Sequence, residues 1–473
     1  MLTRHVASLI KQSFKDTPTP EQERLIEMLA DFVVASDENS IFLLKGYAGT
    51  GKTSILAAFT QALEQLQIQT VLLAPTGRAA KVLSAFTGKS AYTIHKKIYR
   101  QQPAKDGTEH FVLNFNGYRH AFFIVDEASM IANETVEQSL FGSGKLLDDL
   151  MDFVCSGHHC RLILCGDEAQ LPPVGLEISP ALCKKELEQY GLPVKEFTLT
   201  EVIRQSVDSG ILHNATMVRN MLQKNQIKIP VLHLSSYQDI KRITGKEVID
   251  VINECYQRYG IEETMVVCRS NKSANAYNKG IRNQILYREE ILSAGDYVMA
   301  VRNNYYWLNN QEEIDFIANG DIARVKRIKR FEERYGFRFA DVVLQLIDHN
   351  NTETDAKILL DTITSEGASL PAEEYNRLFN AVAEDYSDIK SKKQRYEKIK
   401  NDPYFNALQI KFAYAVTCHK AQGGQWEAVL VDQGFFSNEM ISTDYLRWLY
   451  TSFTRATSCL YLVNFHSSFW GDV

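Results

Sequence analysis

Four short runs of consecutive apolar residues mark the first half of the chain: Ile41-Phe42-Leu43-Leu44, Val71-Leu72-Leu73-Ala74, Phe122-Phe123-Ile124-Val125 and Leu162-Ile163-Leu164-Cys165. A strand covered on both faces needs no polar side, so it reads as an unbroken apolar run rather than as an alternation. Segments with helical spacing lie between most of these runs. Another, Glu21 to Phe32 with Leu25, Ile26, Met28 and Leu29 apolar, precedes the first. The pattern predicts a parallel sheet flanked by helices, the α/β class. A second rhythm of the same kind starts near Thr200. It has strand-like runs at Thr264–Cys268, Asp296–Val301, Ala428–Val431 and Leu460–Val463, and a helical stretch from Asn271 to Leu286.

Two segments break the rhythm. Between Ile98 and Asn116 two short runs flank Pro103-Ala104-Lys105-Asp106-Gly107, and the Asp-Gly turn dipeptide predicts a protruding β-hairpin, with a surface loop as the alternative. From about Val325 to Asn406 the chain begins strand-like and becomes charged and helical from Ala372 to Lys400, as expected of an insertion within the second domain.

Composition narrows the class. At 473 residues the chain exceeds one core, and about 150 residues per domain suggests two to four. No apolar run approaches the roughly 18 residues that span a bilayer, and Met1-Leu2-Thr3-Arg4-His5-Val6 lacks an apolar leader core. The expectation is a cytoplasmic protein without membrane contact. The net charge of −6 gives no global basic surface. A nucleic-acid motor needs only a local basic track, so that class stays open. Eight cysteines in a chain of this length do not suggest a disulfide framework. The cluster Cys155, His158, His159, Cys160, Cys165 lacks the spacing of a zinc knuckle, and Cys160 to Cys165 reads as a buried strand.

The candidate chemistry starts at Gly46-Tyr47-Ala48-Gly49-Thr50-Gly51-Lys52-Thr53, which follows the first apolar run and opens a helix. It meets the pattern G-x-x-x-x-G-K-[ST]. Glycines let backbone N–H groups approach phosphates, and a helix N-terminus adds its positive dipole. Gly46, Ala48, Gly49, Thr50 and Gly51 are thus expected to cradle ATP, Lys52 to reach the β- and γ-phosphates, and Thr53 to ligate Mg²⁺. Asp126 and Glu127 end the third apolar run. Asp126 suits Mg²⁺ and Glu127 the activation of the attacking water, against the alternative of two helix-capping acids. Hydrolysis also needs a cation on the transferring phosphoryl group. Arg204 and Arg455 are candidates, although by residue type alone each reads as a surface arginine.

Together these segments resemble a superfamily 1B helicase of the RecD-like and phage Dda-like branch, over nearly the whole chain and in order. Gln22, after Thr17-Pro18-Thr19-Pro20-Glu21, resembles the adenine-reading glutamine. Ala74–Ala80 resembles motif Ia, Thr93-Ile94-His95-Lys96 the segment after it, Asp126–Met130 motif II and Gly166–Gly175 motif III. Leu199–Gln205 resembles motif IV, Asn319–Ile322 a late motif, Val416–Gly424 motif V and Tyr450–Ala456 motif VI. The resemblance implies two RecA-like domains, a γ-phosphate sensor at Gln170, fingers at Arg204 and Arg455, and nucleotide contacts from Gly424 and Gln425. It implies DNA contacts from Pro75, Thr76, Arg78, Thr93, His95, Thr417, His419 and Lys420. Gln425 departs from the family, where a glutamate often contacts the sugar; glutamine loses the charge-assisted part of that bond. Leu171-Pro172-Pro173 replaces the base-stacking aromatic of 3′→5′ relatives, which favours 5′→3′ movement.

The same resemblance makes the hairpin a strand-separating pin, with Phe111, Phe115 or Tyr118 at the fork, and the insertion a small SH3-like β-barrel. Its basic start, Arg324 to Arg338, holds seven Lys/Arg against two acids and suits nucleic acid or a solvated strand face. The expected division is 1–97 with 121–198 (first RecA-like domain), 98–120 (pin), 199–324 with 407–473 (second RecA-like domain) and 325–406 (insert). The implied function is an ATP- and Mg²⁺-dependent 5′→3′ DNA helicase, monomeric, acting on single-stranded and forked DNA beside replication or repair proteins. The alternatives are an RNA helicase, a nucleic-acid-stimulated switch or loader, and a small-molecule P-loop kinase.

Overall fold

The computed structural model describes residues 1–36, 39–103, 109–134, 141–203, 208–308, 316–349, 351–367 and 369–470, with the side chains of 101–103 and 109–110 left aside. Arg204 and the Asp106-Gly107 turn therefore lie outside the described residues.

The first domain is built on β1 (Ile41–Gly46), β2 (Thr70–Ala74), β3 (Ala91–Thr93), β6 (Phe122–Val125), β7 (Arg161–Gly166) and β8 (Val194–Leu199). They form one sheet in the order β3-β2-β6-β7-β1-β8, with every pairing parallel. The four apolar runs are β1, β2, β6 and β7, and they are buried on both faces as their composition demands. On one face Phe32, Phe42, Phe59 and Phe122 meet edge-on, an arrangement that suits the ring quadrupole. Because β6, β7 and β1 are neighbours, their carboxyl ends bring Asp126, Asp167 and the phosphate loop to one edge, the usual ligand edge of such a sheet.

The expected hairpin forms: β4 (Tyr99–Pro103) and β5 (Glu109–Leu113) pair antiparallel from Tyr99 opposite Leu113 to Pro103 opposite Glu109.

The second domain carries β9 (Ile240–Ile243), β10 (Thr264–Cys268), β16 (Ala415–Thr417), β17 (Trp426–Asp432) and β18 (Ala456–Val463), all parallel in the order β16-β10-β17-β18-β9. The run Asp296–Val301, read as a strand of this sheet, is not part of it. As β11 (Tyr297–Ala300) it joins β12 (Ile322–Arg334), β13 (Phe337–Leu346), β14 (Thr352–Leu359) and β15 (Leu408–Phe412) in a closed barrel. The barrel thus draws on strands from Tyr297 to Phe412, on both sides of the expected insert 325–406. A strand buried on both sides has the same apolar signature in a barrel as in a parallel sheet, so the pattern alone could not assign β11.

Tyr335-Gly336 joins β12 to β13 with φ of +57° and +71°, the two left-handed positions of a type I′ turn that matches strand twist. The basic face of β12 is matched by acids. Lys326 pairs with Glu353, Lys329 with Asp355 and Arg330 with Asp341, while Arg334 meets Asp385 and Arg338 meets Asp361. This favours the solvated, ion-paired reading of that stretch. The helices Ala372–Glu384 and Lys392–Lys400 close one end of the barrel by setting Leu378, Val382 and Ile399 against Phe337, Phe339 and Leu359.

Candidate active site and nucleic-acid path

The loop between β1 and the helix Lys52–Gln65 turns through two left-handed glycines, Gly49 at φ +76° and Gly51 at φ +81°. A Cβ on Gly51 would lie 2.6 Å from Nε2 of Gln22, so no other residue fits there. Gln22 is buried, and its Nε2 donates to the Thr50 carbonyl at 3.0 Å. Its Oε1 accepts from the Thr19 amide at 3.0 Å, while Thr19 Oγ1 accepts from the Gln22 amide, a reciprocal capping box. Gln22 thus pins the loop to the helix Pro20–Val34. Lys52 Nζ donates to the carbonyls of Gly46 at 2.7 Å and Tyr47 at 3.0 Å. No carboxylate forms an ion pair with it among the described residues.

Asp126, at the end of β6, is buried, and its Oδ1 accepts from the Glu127 amide at 2.9 Å. Glu127 holds φ +54°, a conformation uncommon for a residue with a side chain. Desolvation pushes the Asp126 carboxyl up. The Glu127 amide, the Lys52 charge and hydrogen bonds from Cys165 and Thr53 oppose that shift. Desolvation also raises Glu127, against the pull of Arg455 and Lys52. Lys52, Thr53, Asp126, Glu127 and Arg455 therefore act on one small volume, although they come from widely separated parts of the chain.

Arg455 follows the second-domain helix Thr443–Phe453 and is only 2% exposed. Its Nε donates to the Thr451 carbonyl and its Nη1 to the Gly424 carbonyl, each at 3.0 Å, and its Nη2 to Thr454 Oγ1 at 3.2 Å. None of these partners is charged. Gln170 is buried, and its Oε1 has no hydrogen-bond partner among the described residues. Motif III continues into the second domain: the Leu171 amide donates to Thr451 Oγ1 at 2.9 Å, and Gln422 Nε2 to the Leu171 carbonyl at 2.6 Å.

Sequence reasoning missed several residues here. Tyr450 reaches the phosphate loop and Asp167. Gln223 donates to the Tyr47 hydroxyl at 2.7 Å, and the Arg219 guanidinium lies 4.5 Å above the Tyr47 ring. Tyr450 and Asp167 stand inside recognised motifs and were within reach of inspection; Arg219 and Gln223 sit on the helix Gly210–Gln223 with no pattern around them.

The expected nucleic-acid contacts are placed unevenly. Thr76 and Thr93 spend their hydroxyls capping the helices Gly77–Thr87 and Ile94–Ile98, accepting from Ala79 and Lys96 at 3.2 Å each. Pro75 leads into the first of these helices and is half-buried. Arg78 faces the second domain, with Nη2 donating to the Gln425 carbonyl at 3.1 Å and its guanidinium 4.5 Å above Trp426. Gly423 and Gly424 press against Thr76, Ala79 and Arg78, and the Gln425 side chain is exposed. His95 packs against Tyr99 and Phe141, and burial lowers its pKa to about 4, so the ring is neutral. Thr417 is half-buried and His419 exposed. Lys420 donates to Asn319, and burial brings its pKa down to about 8.

A cavity of about 710 Å³ lies beside the helix Gly77–Thr87 where Lys81 donates to the Ile347 carbonyl of the barrel at 3.0 Å; Lys81, Lys89, Lys96 and Tyr92 line one side, Phe316, Asp348 and His349 the other. Of the three candidate pin aromatics, Phe111 is buried beside Phe141 and Tyr305, Tyr118 packs edge-on against Phe123, and Phe115 is 84% exposed.

Two parallel-sheet domains, a phosphate loop in one and a buried arginine from the other, together make a two-domain fold with one candidate nucleotide site. The family description "AAA domain" matches residues 18–246, and "UvrD-like helicase C-terminal domain" matches residues 412–463. An uncharacterised protein of Methanocaldococcus jannaschii is 25% identical over 94% of this chain and 38% of its own length. The ATP-dependent RecD2 DNA helicase of Deinococcus radiodurans is 32% identical over 41% of this chain and 23% of its own. The chain thus spans well under half the length of both relatives. A Pif1 helicase from Bacteroides, in complex with ADP-AlF3 and single-stranded DNA, shares 15% identity over 95% of this chain and 93% of its own, with a TM-score of 0.47. The two family matches and the Deinococcus relative support the resemblance to superfamily 1B helicases of the RecD type, the first match holding the phosphate loop and the second Arg455. No helix among the described residues is long and apolar enough to cross a membrane.

Proposed function

We propose that this protein hydrolyses ATP in the cleft between its two sheet domains to move 5′→3′ along single-stranded DNA and separate forked duplexes, acting as a monomer. The observation that carries the reading is Arg455, a buried guanidinium bonded only to uncharged groups and electrostatically coupled to Glu127 across the cleft. A cation taken out of water without a counter-ion is costly, and an incoming phosphate supplies the missing charge. The Thr53 hydroxyl and the Asp126 carboxylate are hard oxygen donors in hydrogen-bond contact, a pair that fits Mg²⁺. The metal, when bound, neutralises charge on the phosphates. Lys52 holds the β- and γ-phosphates, Glu127 takes the proton of the attacking water, and the Gln170 side-chain amide senses the γ-phosphate by donating its N–H to it. Arg204 serves as a second finger.

The lysine-lined cavity beside the helix Gly77–Thr87 gives the strand a sequence-independent electrostatic path. Movement toward the hairpin would drive the duplex onto Phe115. Each base-pair step then costs about 1.4 kcal/mol of stacking, within reach of one ATP. The name of the Deinococcus relative supports DNA as the track. ATP turnover is expected to rise several-fold with single-stranded DNA and much less with RNA of the same sequence. Equal stimulation by both would favour the RNA-helicase reading. Stimulated turnover without strand separation would favour the switch or loader.

A further inference from the structure

Tyr450 bridges the two domains. It belongs to the second-domain helix Thr443–Phe453 and is 1% exposed. Its hydroxyl oxygen accepts from the Ala48 amide of the phosphate loop at 2.8 Å. The same hydroxyl donates to Asp167 Oδ2, at the end of β7, at 2.6 Å. Asp167 is also 1% exposed, and its Oδ1 accepts from the Ala169 amide at 2.9 Å. One proton donor thus links the phosphate loop, motif III and motif VI, three segments that serve the γ-phosphate from three directions.

The surroundings make the link directional rather than incidental. The loop is held from the second domain at two further points, where the Ile203 amide donates to the Gly49 carbonyl at 3.1 Å and Gln223 holds the Tyr47 hydroxyl. Gln170, three residues beyond Asp167, carries the unpartnered Oε1. A short hydrogen bond from a hydroxyl to a carboxylate in a desolvated site is among the stronger neutral-to-charged contacts. It has two discrete outcomes, made or broken, when the loop or the second domain moves.

We propose that Tyr450 is a positioning residue that couples the phosphate loop to the second domain, so that nucleotide turnover and domain movement change together through the Ala48–Tyr450–Asp167 bridge. This rests on the helicase reading above. It assigns Tyr450 no contact with the reacting atoms; its effect passes through Ala48 and Asp167.

The test is Tyr450→Phe, which removes the oxygen and keeps the ring in its packed site. ATP turnover is measured with and without single-stranded DNA, together with base pairs unwound per ATP on a forked duplex. The expected result is a KM for ATP within about 3-fold of wild type and a DNA-stimulated kcat lowered about 10-fold, the scale of one hydrogen bond to a charged group. The stimulation ratio and the coupling then fall together. Asp167→Asn keeps an acceptor for the hydroxyl and loses the charge, and is expected to fall between wild type and Tyr450→Phe. A purely structural role would lower the thermal midpoint while leaving the stimulation ratio and the coupling unchanged, and that pattern overturns the proposal. A wild type whose ATPase ignores DNA would overturn the helicase reading itself. A stimulated wild type matched by an equally stimulated Tyr450→Phe would overturn the bridge alone.

Discussion

Replacing Lys52 by alanine is expected to reduce ATP turnover to background, a loss of at least about 10³-fold in kcat/KM, the upper range for removing one preorganised charge from a reacting centre. Two backbone carbonyls aim the ammonium into the loop, and no carboxylate forms an ion pair with it among the described residues. Alanine opens the helix equally well, so the fold should persist, and an unchanged thermal midpoint would separate lost chemistry from lost structure. Arginine at the same position keeps the charge. It cannot enter a loop in which Gly46 already lies 3.0 Å, measured from an added Cβ, from the Lys52 side chain, so Lys52→Arg should rescue little. Substantial turnover in Lys52→Ala would sink the phosphate-loop assignment.

Arg455→Ala is expected to slow hydrolysis by about 10³-fold while changing ATP affinity far less, the signature of a group that acts on developing charge. Among the described residues the buried guanidinium is hydrogen-bonded only to uncharged groups, and its field reaches Glu127. Arg455→Lys retains a point charge but loses the planar fork bonded to Thr451 and Gly424, so it should recover only a part. The check is single-turnover hydrolysis beside equilibrium binding of a fluorescent ATP analogue. Equal losses in the two would mean that Arg455 supports the ground state or the fold, not the transition state.

The readable parts of this molecule are those whose local physics needs no partner. The four apolar runs are sheet strands because burial on both faces leaves one sequence solution. The phosphate loop is legible because Gly49 and Gly51 occupy left-handed backbone and Lys52 opens a helix. The hairpin at Tyr99–Leu113 announced itself by its turn dipeptide. Contacts made at a distance were less legible. β11 carries the apolar signature of a sheet strand and closes a barrel, because that signature reports burial and not the neighbour. Thr76, Thr93 and Arg78 stand in recognisable motifs. In the fold the two hydroxyls cap helices and the guanidinium spans the domain junction at Trp426. Tyr450 opens the segment that resembles motif VI, yet nothing in the sequence marks that its single oxygen joins three motifs. Arg219 and Gln223 touch Tyr47 only because the helix Gly210–Gln223 docks there, and nothing in one sequence encodes that docking visibly.

The central claim is that this cleft drives movement in one direction along a DNA strand. Two duplexes of identical sequence, one with a 5′ single-stranded tail and one with a 3′ tail, test it most directly with ATP and Mg²⁺ under single-turnover conditions. The 5′-tailed duplex is expected to separate and the 3′-tailed one to stay paired. Unwinding of the 3′-tailed duplex alone would contradict the 5′→3′ direction, and unwinding of neither would contradict the motor.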